Sequence, residues 1–388
     1  MSGCRDVIEI GRRRLLSAAV AGAVSVSGCL SGGRSNTFPV LGWYPSWGRY
    51  DDEYLPEDVP FEKLDAMYYA NLEPDPSGEV VFTSENDEPN LEEFRALKGA
   101  GEPAEHVDMG FAIGGWNSSE HFSDAAATRE NRERFAASAI DVLRTYEFDG
   151  FEIDWEFPTG SGHEQNTERE EDVENVISLV EECRTQLDDA MEADDREYSL
   201  SYSAPAEPDH IEPLDVETLS DALDWINVMA YDLSGPGSET TAHNAPLYGS
   251  PSANEAVEAW EAGGMARSQM MIGHAFYGRG FAGVDPGPYN DGLDQPFEEY
   301  EATLDYEEIA RRIDDPAWER HWDDRANAPH LYNEEERNWV SATDPEYVET
   351  KTTYAREEGY RGVFCWELSF DSNEELLDTM NDAVEGDD

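Results

Sequence analysis

The chain is poor in positively charged residues, and in lysine above all. Its 388 residues include 26 Lys and Arg against 87 Asp and Glu, which gives a formal net charge of −61. The lysines are Lys63, Lys98 and Lys351, so most of the cations are arginines. A surface with this charge repels nucleic acid and anionic lipid, which are negatively charged themselves. The composition therefore disfavours both as partners.

The sequence also lacks the usual patterns of metal and cofactor sites. The eight histidines are scattered without a metal-binding motif, and no glycine-rich stretch fits a phosphate or dinucleotide loop. The four cysteines give no readable disulfide framework, and Cys183 and Cys365 lie in apolar patterns that are typical of a core. We therefore expect neither a metal nor a cofactor.

The acidic residues are spread through helix-like segments as well as loops. Molar salt shortens the electrostatic screening length to about 3 Å, which removes most of the repulsion between such charges. The profile resembles that of proteins from salt-loving archaea, and we interpret the charge as an adaptation to the solvent. With 39% hydrophobic residues and 10 Trp, the chain can bury a large core, and one domain of barrel size fits its length.

The N-terminus has the pattern of an export signal. Arginines at 12–14 precede LLSAAVAGAVSVSGC, an apolar run too short for a stable transmembrane span. Twin arginines followed by leucines resemble the signal of the twin-arginine translocase, and VSGC resembles a lipobox. We expect a signal peptide at 1–28, lipid on Cys29, a flexible tether at 29–37, and a protein anchored by lipid to the outer cell surface. An uncleaved membrane anchor is the alternative.

Short apolar runs of β-strand length alternate with amphipathic helical patterns through residues 38–388. Eight parallel strands joined by helices close a barrel, so we predict an α/β fold of the (β/α)8 TIM barrel type. Residues 279–361 are far more than one crossover helix needs, and we predict a small α+β insertion between strands seven and eight, at about 281–340. The predicted strands are 39–46, 65–73, 107–116, 150–157, 198–206, 225–233, 270–278 and 362–368.

The fourth predicted strand has carboxylates at three alternate positions, Glu152, Asp154 and Glu156. Alternate residues share one face of a strand, so these acids point into the barrel while the apolar residues between them face the helices. Carboxylates about 6 to 7 Å apart with little water among them cannot all ionise, so a proton is retained. Glu156 lies nearest the C-terminal mouth, where a retained proton suits a general acid. A half-exposed strand with its acids in solvent is the alternative.

These residues resemble a known sequence signature. FDGFEIDWE is similar to the D-G-x-D-x-D-x-E signature of glycoside hydrolase family 18, the chitinases. The pattern is specific because spacing, glycine and acids must all agree. Asp149, Gly150, Asp154 and Glu156 match it, while Glu152 stands where the family has aspartate.

Further motifs extend the resemblance over nearly the whole body of the chain. AIGGW at 112–116 resembles the S-x-G-G motif, with Ala112 in place of the serine. The other matches are the M-x-Y-D motif in 229–233, the Y-G-R motif in 277–281, and the strand-eight tryptophan, Trp366. Catalytic groups of such barrels collect at the C-terminal ends of the strands, where we expect these motifs.

The resemblance implies retaining hydrolysis of β-1,4-N-acetylglucosaminide bonds in chitin or its oligomers, with the substrate's acetamido oxygen as nucleophile. Glu156 would act as general acid and then as base. Asp154 would hold the acetamido N–H, and Tyr231 would hydrogen-bond the acetamido carbonyl. Glu152 and Asp149 would tune the proton position behind Asp154. Because Glu152 is longer than the family's aspartate, we expect a changed pH optimum with activity retained.

The resemblance also implies a sugar-binding surface at the barrel mouth. Trp366 would form the floor of the cleavage subsite, and Trp116 would be a second platform. Asp232 and Arg279 would hydrogen-bond the sugar. Further candidate contacts are Tyr44, Trp47, Phe157 and Met229. Core packing is the alternative for the three aromatic residues among them. The glycines expected to support the site are Gly114, Gly115 and Gly150.

Two other functions remain open. One is a sugar-binding relative that has lost catalysis, although such relatives usually lack the terminal acid, and Glu156 is present. The other is an endo-N-acetylglucosaminidase that acts on N-glycan-like substrates, since the same acids could perform that cleavage. We expect a monomer whose partner is chitin or a chito-oligosaccharide.

Overall fold

The structure, a computed structural model, describes residues 38–51 and 54–386. The predicted signal peptide, tether and lipid-bearing Cys29 lie outside the described residues. The strands are β1 (Val40–Pro45), β2 (Ala66–Pro74), β3 (Val80–Val81), β4 (Asp108–Gly114), β5 (Gly150–Asp154), β6 (Ser199–Ala204), β7 (Trp225–Val228), β8 (Met270–Ala275), β9 (Tyr277–Ala282), β10 (Glu299–Asp305), β11 (Glu319–Asp323), β12 (Ala328–Asn333), β13 (Asn338–Ser341) and β14 (Gly362–Trp366). The helices are α1 (Gly48–Asp51), α2 (Asp87–Leu97), α3 (Phe122–Ala127), α4 (Arg129–Tyr146), α5 (Asp172–Asp194), α6 (Pro208–Ile211), α7 (Val216–Ala222), α8 (Ala253–Gly263), α9 (Tyr306–Asp314), α10 (Pro345–Glu357) and α11 (Glu375–Glu385).

Eight parallel strands close into a barrel. Their order around the ring is β1, β2, β4, β5, β6, β7, β8 and β14, and β14 pairs with β1 to complete it. Each predicted strand corresponds to one of these barrel strands, so the predicted (β/α)8 fold is confirmed. The register places Ala112 of β4, Glu152 of β5 and Ser201 of β6 side by side.

A separate antiparallel sheet is inserted between the last two barrel strands. Its strand order is β10, β9, β13, β12 and β11, and it carries α9. Its strands run from 277 to 341, so it begins before the predicted bound at 281. Tyr277 and Arg279 consequently belong to β9, which pairs with β10 and β13, and not to the end of the preceding barrel strand.

The two faces of β5 enter different layers of the molecule. Phe151, Ile153 and Trp155 join the core between strands and helices, where Trp155 stacks on Phe122 of α3 with 5.2 Å between ring centroids. Glu152 points the other way, into the barrel. The division expected from the alternation is therefore confirmed. Aromatic side chains fill the interior below the acids, among them Trp43, Tyr68, Trp225 and Phe364.

The strand that carries the acids is shorter than predicted and ends at Asp154. Beyond that point the backbone bonds to loop side chains. The N–H of Glu156 donates to Ser119 Oγ at 3.1 Å, and Asn166 Nδ2 donates to the Glu156 carbonyl at 2.7 Å. Glu156 therefore stands at the rim of the barrel, outside the sheet. The sixth barrel strand, β7, also ends early, at Val228.

Several features bear on sites other than the barrel mouth. The thiols of Cys183 and Cys365 are buried and free, as the apolar patterns around them predicted. Within residues 38–51 and 54–386, none of the helices combines the length and the apolar character needed to cross a bilayer. In the same residues, no group of three or more His, Cys, Asp or Glu side chains is arranged to hold a metal ion.

We predict that Gly150→Ala destabilises the barrel by about 2 kcal/mol, because overfilling a packed core carries a cost of this order. A Cβ at Gly150 would lie 2.0 Å from Ser199 Oγ and 2.9 Å from the hydroxyl of Tyr68. The free energy of unfolding is measured from urea unfolding at fixed salt concentration. Gly235→Ala is the control, since a Cβ there meets no atom within 4 Å. Equal stability of the two variants would contradict the prediction.

Candidate active site

The three predicted acids follow one another from the barrel interior to its mouth. Glu152 is completely buried, Asp154 is 9% exposed, and Glu156 is half-buried at the rim. The structure therefore brings the three predicted carboxyls into one row. Because the deeper two have almost no access to water, their charges depend on protein groups for stabilisation.

Three donors from the neighbouring strands surround the carboxyl of Glu152. Ser201 Oγ donates to Oε2 at 2.6 Å, and Asn227 Nδ2 donates to the same oxygen. Ser203 Oγ donates to Oε1. On the other side Ala112 of β4 offers no polar side chain, so the longer Glu152 takes its support from β6 and β7.

Burial raises the pKa values of both deep acids. The pKa of Glu152 rises to about 8, because desolvation outweighs the lowering effect of the hydrogen bonds from Ser201 and Ser203. Desolvation likewise raises the pKa of Asp154, while a hydrogen bond from Ser203 lowers it. Near neutral pH this pair of carboxyls therefore holds a proton.

Glu156 also keeps its proton to unusually high pH. Burial, followed by the charges of Asp154 and Asp232, raises its pKa well above the ordinary glutamate value. The backbone N–H of Trp116 opposes this shift by hydrogen bonding to the carboxylate. A carboxylic acid that stays protonated at a barrel mouth can serve as a proton donor.

Tyr231 stands beside the acids, just beyond the end of β7. Its ring packs edge-on against Tyr277 and Phe364, with centroid distances of 6.2 and 6.1 Å. Burial raises the pKa of Tyr231 well above its usual value, so the hydroxyl remains a donor. Met229, which precedes it, is half-buried and is held by a backbone hydrogen bond of 2.9 Å to Ala204.

The predicted sugar contacts Asp232 and Arg279 form an ion pair that spans the barrel and the inserted sheet. The hydroxyl of Tyr277 donates to Asp232 Oδ1 at 2.7 Å, and Arg279 donates to the same oxygen. Arg279 also donates to the hydroxyl of Tyr300 at 3.0 Å. The exposed carboxylate of Asp232 is therefore fixed in place next to the mouth.

Several predicted aromatic residues lie around the mouth. Trp366 is partly buried, and its ring centroid lies 5.9 Å from that of Trp43 and 6.2 Å from that of Trp47. Trp116 is 48% exposed, which leaves a wide apolar face open to solvent. Phe157 is half-buried and stacks on a histidine ring with 4.5 Å between centroids.

Tyr44 is not part of this surface, so the prediction that it contacts substrate is wrong. Its side chain is completely buried, and its hydroxyl donates to the carbonyl of Tyr54 at 2.9 Å. Its ring packs between Tyr69 and Phe94, on the helix side of the barrel. Adjacent residues of a strand face opposite sides, so Trp43 faces the barrel interior while Tyr44 faces away from it.

Asp149 does not stand behind Asp154, so its predicted part in tuning the proton is wrong. It precedes β5, at the opposite end of the strand from the mouth. Arg196 donates to its Oδ1 at 2.7 Å, and Lys98 and the backbone N–H of Met109 donate to Oδ2. These bonds tie together three connections at the bottom of the barrel, which is a structural role.

Two glycines at the end of β4 allow the backbone there to approach the end of β5 closely. Gly114 and Gly115 have φ values of 114° and 95°, which favour glycine. A Cβ at Gly114 would lie 2.0 Å from the carbonyl oxygen of Asp154. The N–H of Gly115 donates to that same oxygen at 2.7 Å. The motif at the end of β4 therefore fixes the end of β5.

Some residues of the site were missed by the motif analysis. Ser201, Ser203 and Asn227 donate hydrogen bonds to Glu152. The hydroxyl of Tyr202 is buried without a hydrogen-bond partner in the described residues, and the charge of Asp154 adds to the rise in its pKa that burial causes. The available signal was the pair of serines at alternate positions of an otherwise apolar strand. Alternation places both on one face of β6, the face that points into the barrel as Glu152 does.

Comparison with known proteins identifies the class to which this site belongs. The model of the glycosyl hydrolases family 18 matches residues 39–371. The match covers nearly all of the barrel, its insertion and the acid strand. The chain therefore belongs to glycosyl hydrolase family 18.

Individual relatives agree with this assignment. Chitinase A1 of Niallia circulans is 31% identical over 89% of this chain, and the chain spans 58% of that protein's length. A chitinase from Bacillus thuringiensis has a TM-score of 0.83 at 26% identity, covering 90% of this chain and 70% of that one. A family 18 N-acetylglucosaminidase from Paenibacillus barengoltzii has a TM-score of 0.80 at 27% identity, covering 89% and 99%.

We predict that Asp149→Asn lowers the free energy of unfolding by about 2 kcal/mol without moving the pH dependence of activity, because hydrogen bonds to a partly buried charge contribute about this much. Unfolding in urea and the pH profile of turnover are the two measurements. Asp141→Asn, at an exposed position of α4, is the control for stability. A displaced pH profile in Asp149→Asn would restore the discarded role of this residue.

Proposed function

We propose that this chain hydrolyses β-1,4-N-acetylglucosaminide bonds of chitin or chito-oligosaccharides, with retention of configuration. Family membership supports a glycoside hydrolase, and the names of the most similar relatives support chitin as the substrate class. The row formed by Glu152, Asp154 and Glu156 supports acid-assisted cleavage of a glycosidic bond. No cofactor is required, because the substrate supplies the nucleophile in this type of reaction.

The observation that carries the proposal is the environment of Glu156. It is a half-buried acid at the barrel mouth, its pKa is raised by burial and by the charge of Asp154, and it stands close to the hydroxyl-bearing ring of Tyr231. A protonated acid is required to assist departure of a sugar oxygen. The tyrosine and the aspartate offer a donor and an acceptor for an acetamido group bound between them.

The reaction proceeds in two steps. In the first, Glu156 gives its proton to the glycosidic oxygen while the acetamido oxygen attacks the anomeric carbon and the glycosidic bond breaks. Asp154 accepts a hydrogen bond from the acetamido N–H and stabilises the cationic ring that forms, and Tyr231 donates to the acetamido oxygen. In the second, Glu156 takes a proton from water as the water opens that ring, which gives net retention.

The mouth offers two aromatic surfaces for sugar rings. Trp366 with Trp47 forms one apolar surface, and the exposed Trp116 forms another. The C–H faces of pyranose rings pack on such aromatic surfaces. Asp232, held by Tyr277 and Arg279, supplies a fixed acceptor for sugar hydroxyls.

We predict that Glu156→Gln abolishes most turnover while folding and sugar binding persist, because the amide keeps the shape but has no proton to donate. Loss of a general acid typically lowers the rate by about 100-fold or more. The assay follows cleavage of a labelled N-acetylglucosamine hexamer in molar KCl, with binding measured by calorimetry. Its product series also separates internal from terminal cleavage.

Glu164→Gln is the matched control, since Glu164 is an exposed acid on the loop that follows the site. It should turn over at the wild-type rate. Full activity in Glu156→Gln would remove the assignment of the donor. Binding of the hexamer by the wild type without any cleavage would favour the sugar-binding alternative, and cleavage confined to a high-mannose glycopeptide would favour the N-glycan alternative.

We further propose that the protein is exported through a twin-arginine signal, anchored by lipid on Cys29 and active as a monomer in concentrated salt. The residues of the signal motif and the net charge of −61 support this proposal. Expression of the full chain with Cys29→Ser in a salt-grown archaeal host tests the anchor. Release of that variant into the medium is expected, and retention in the membrane equal to that of the wild type would contradict it.

We predict that the melting temperature rises steeply with KCl concentration up to the molar range, because salt screens the repulsion among the acidic side chains. Thermal unfolding is followed by fluorescence at increasing KCl. Sucrose of matched osmolality is the control, since it stabilises through exclusion from the surface without screening charge. A melting temperature that responds equally to both solutes would show that charge repulsion is not the cause.

A further inference from the structure

The two deep acids of β5 are linked by one side chain on the neighbouring strand. Ser203 Oγ donates its hydrogen to Glu152 Oε1. Burial raises the pKa of Asp154, and a hydrogen bond with the same serine partly opposes that rise. Ser203 itself is 3% exposed, so water does not compete for these contacts. A serine hydroxyl has one hydrogen to donate and two lone pairs to accept with.

The sheet register explains how Ser203 reaches both acids. The paired residues of β5 and β6 run from Gly150 and Ser199 to Ile153 and Tyr202, with Glu152 level with Ser201. Continuing the register places Ser203 level with Asp154. Its hydroxyl nevertheless bonds one step deeper, to Glu152, so it bridges the two levels.

The opposite side of the acid strand offers no such bridge. There Ala112 pairs with Glu152 and Gly114 pairs with Asp154, and neither has a polar side chain. Within the described residues, Oδ1 of Asp154 has no hydrogen-bond partner. The hydroxyl of Ser203 is thus the group placed to carry a proton between the two carboxyls.

We propose that Ser203 is a positioning residue that relays one proton between Asp154 and Glu152. When Asp154 is protonated, its O–H bond breaks and its proton forms a bond to Ser203 Oγ, while the original O–H bond of Ser203 breaks and that proton forms a bond to Glu152 Oε1. One proton is transferred, the serine is regenerated, and the negative charge moves from Glu152 to Asp154. The inference rests on the proposed function, in which Asp154 must be negative when the cationic intermediate forms.

The two oxygens of Glu152 make the serines a matched pair for a test. Oε2 of Glu152 accepts hydrogen bonds from both Ser201 and Asn227, so removing the Ser201 hydroxyl leaves Asn227 as a donor. Oε1 receives Ser203. Ser201→Ala and Ser203→Ala each remove one hydroxyl from the same strand and from the same carboxyl, but only the second removes the bridge to Asp154.

Other titratable groups face the acid pair and stay the same in both variants. They are Tyr68 on β2, Tyr202 on β6, Tyr231 after β7 and Glu156 after β5, and Asp232 in turn acts on Glu156 and Tyr231. A hydrogen bond donated to a carboxylate favours the charged form, so removing Ser203 raises the pKa values of the pair. The pair then keeps its proton to higher pH, and the acid limb of the rate profile moves upward.

The experiment measures kcat and KM against pH on the N-acetylglucosamine hexamer. For Ser203→Ala we expect an upward shift of the acid limb by about one pH unit, which is about tenfold in kcat on that limb, with KM little changed. Ser201→Ala should shift it by less than half as much. Ser203→Thr, which keeps the hydroxyl, should restore the wild-type profile. Equal shifts in the two alanine variants, or a threonine variant that behaves like alanine, would overturn the relay.

A second measurement does not depend on turnover. The infrared C=O band of protonated carboxyls is titrated without substrate in the wild type, in Ser203→Ala and in Ser203→Thr. The relay requires the band to persist to higher pH in Ser203→Ala than in the other two proteins, and a band at unchanged pH would overturn it. If the wild type cleaves no acetamido sugar but Ser203→Ala still shifts the band relative to the wild type, the proposed function is refuted while the link between the two acids stands.

Discussion

The cost of placing charge in a closed barrel is the constraint on which the site depends. β5 carries its acids into an interior filled by Trp43, Tyr68 and Phe364, where an ionised carboxylate has little water to solvate it. Burial raises the pKa of Glu152, and hydrogen-bond donors from the neighbouring strands surround its carboxyl. Burial and the charge of Asp154 likewise raise the pKa of Glu156, so a protonated carboxyl stands at the mouth.

The rest of the fold holds this row at a fixed depth. At the end of β4, the N–H of Gly115 donates a hydrogen bond to the carbonyl of Asp154. Beyond the end of β5, the loop side chains of Ser119 and Asn166 hydrogen-bond the backbone of Glu156. The inserted sheet contributes Tyr277 and Arg279, which fix the exposed Asp232 from above. Catalytic geometry in this chain is therefore assembled from the barrel, its loops and the inserted sheet, all of which converge on one strand end.

Corrections to the sequence analysis have a common physical origin. Tyr44 lies one residue from the interior-facing Trp43, and this one step puts it in the outer core. Asp149 is close in sequence to the acids but lies at the far end of the strand, where Lys98 and Arg196 neutralise it. The motif therefore located the acid-bearing strand correctly. Whether a nearby residue reaches the site depends on which face of its strand it lies on and on how far it lies from the barrel mouth.

The sequence alone determined the eight-stranded barrel, the place of the insertion and the row of acids, because these follow from alternation and spacing along a single segment. It could not determine which groups support Glu152 or where β5 ends. Ser201, Ser203 and Asn227 lie far along the chain from that glutamate, and the pairing of β5 with β6 and of β6 with β7 brings them to it. Contacts between strands depend on register and depth, and these are properties of the folded sheet.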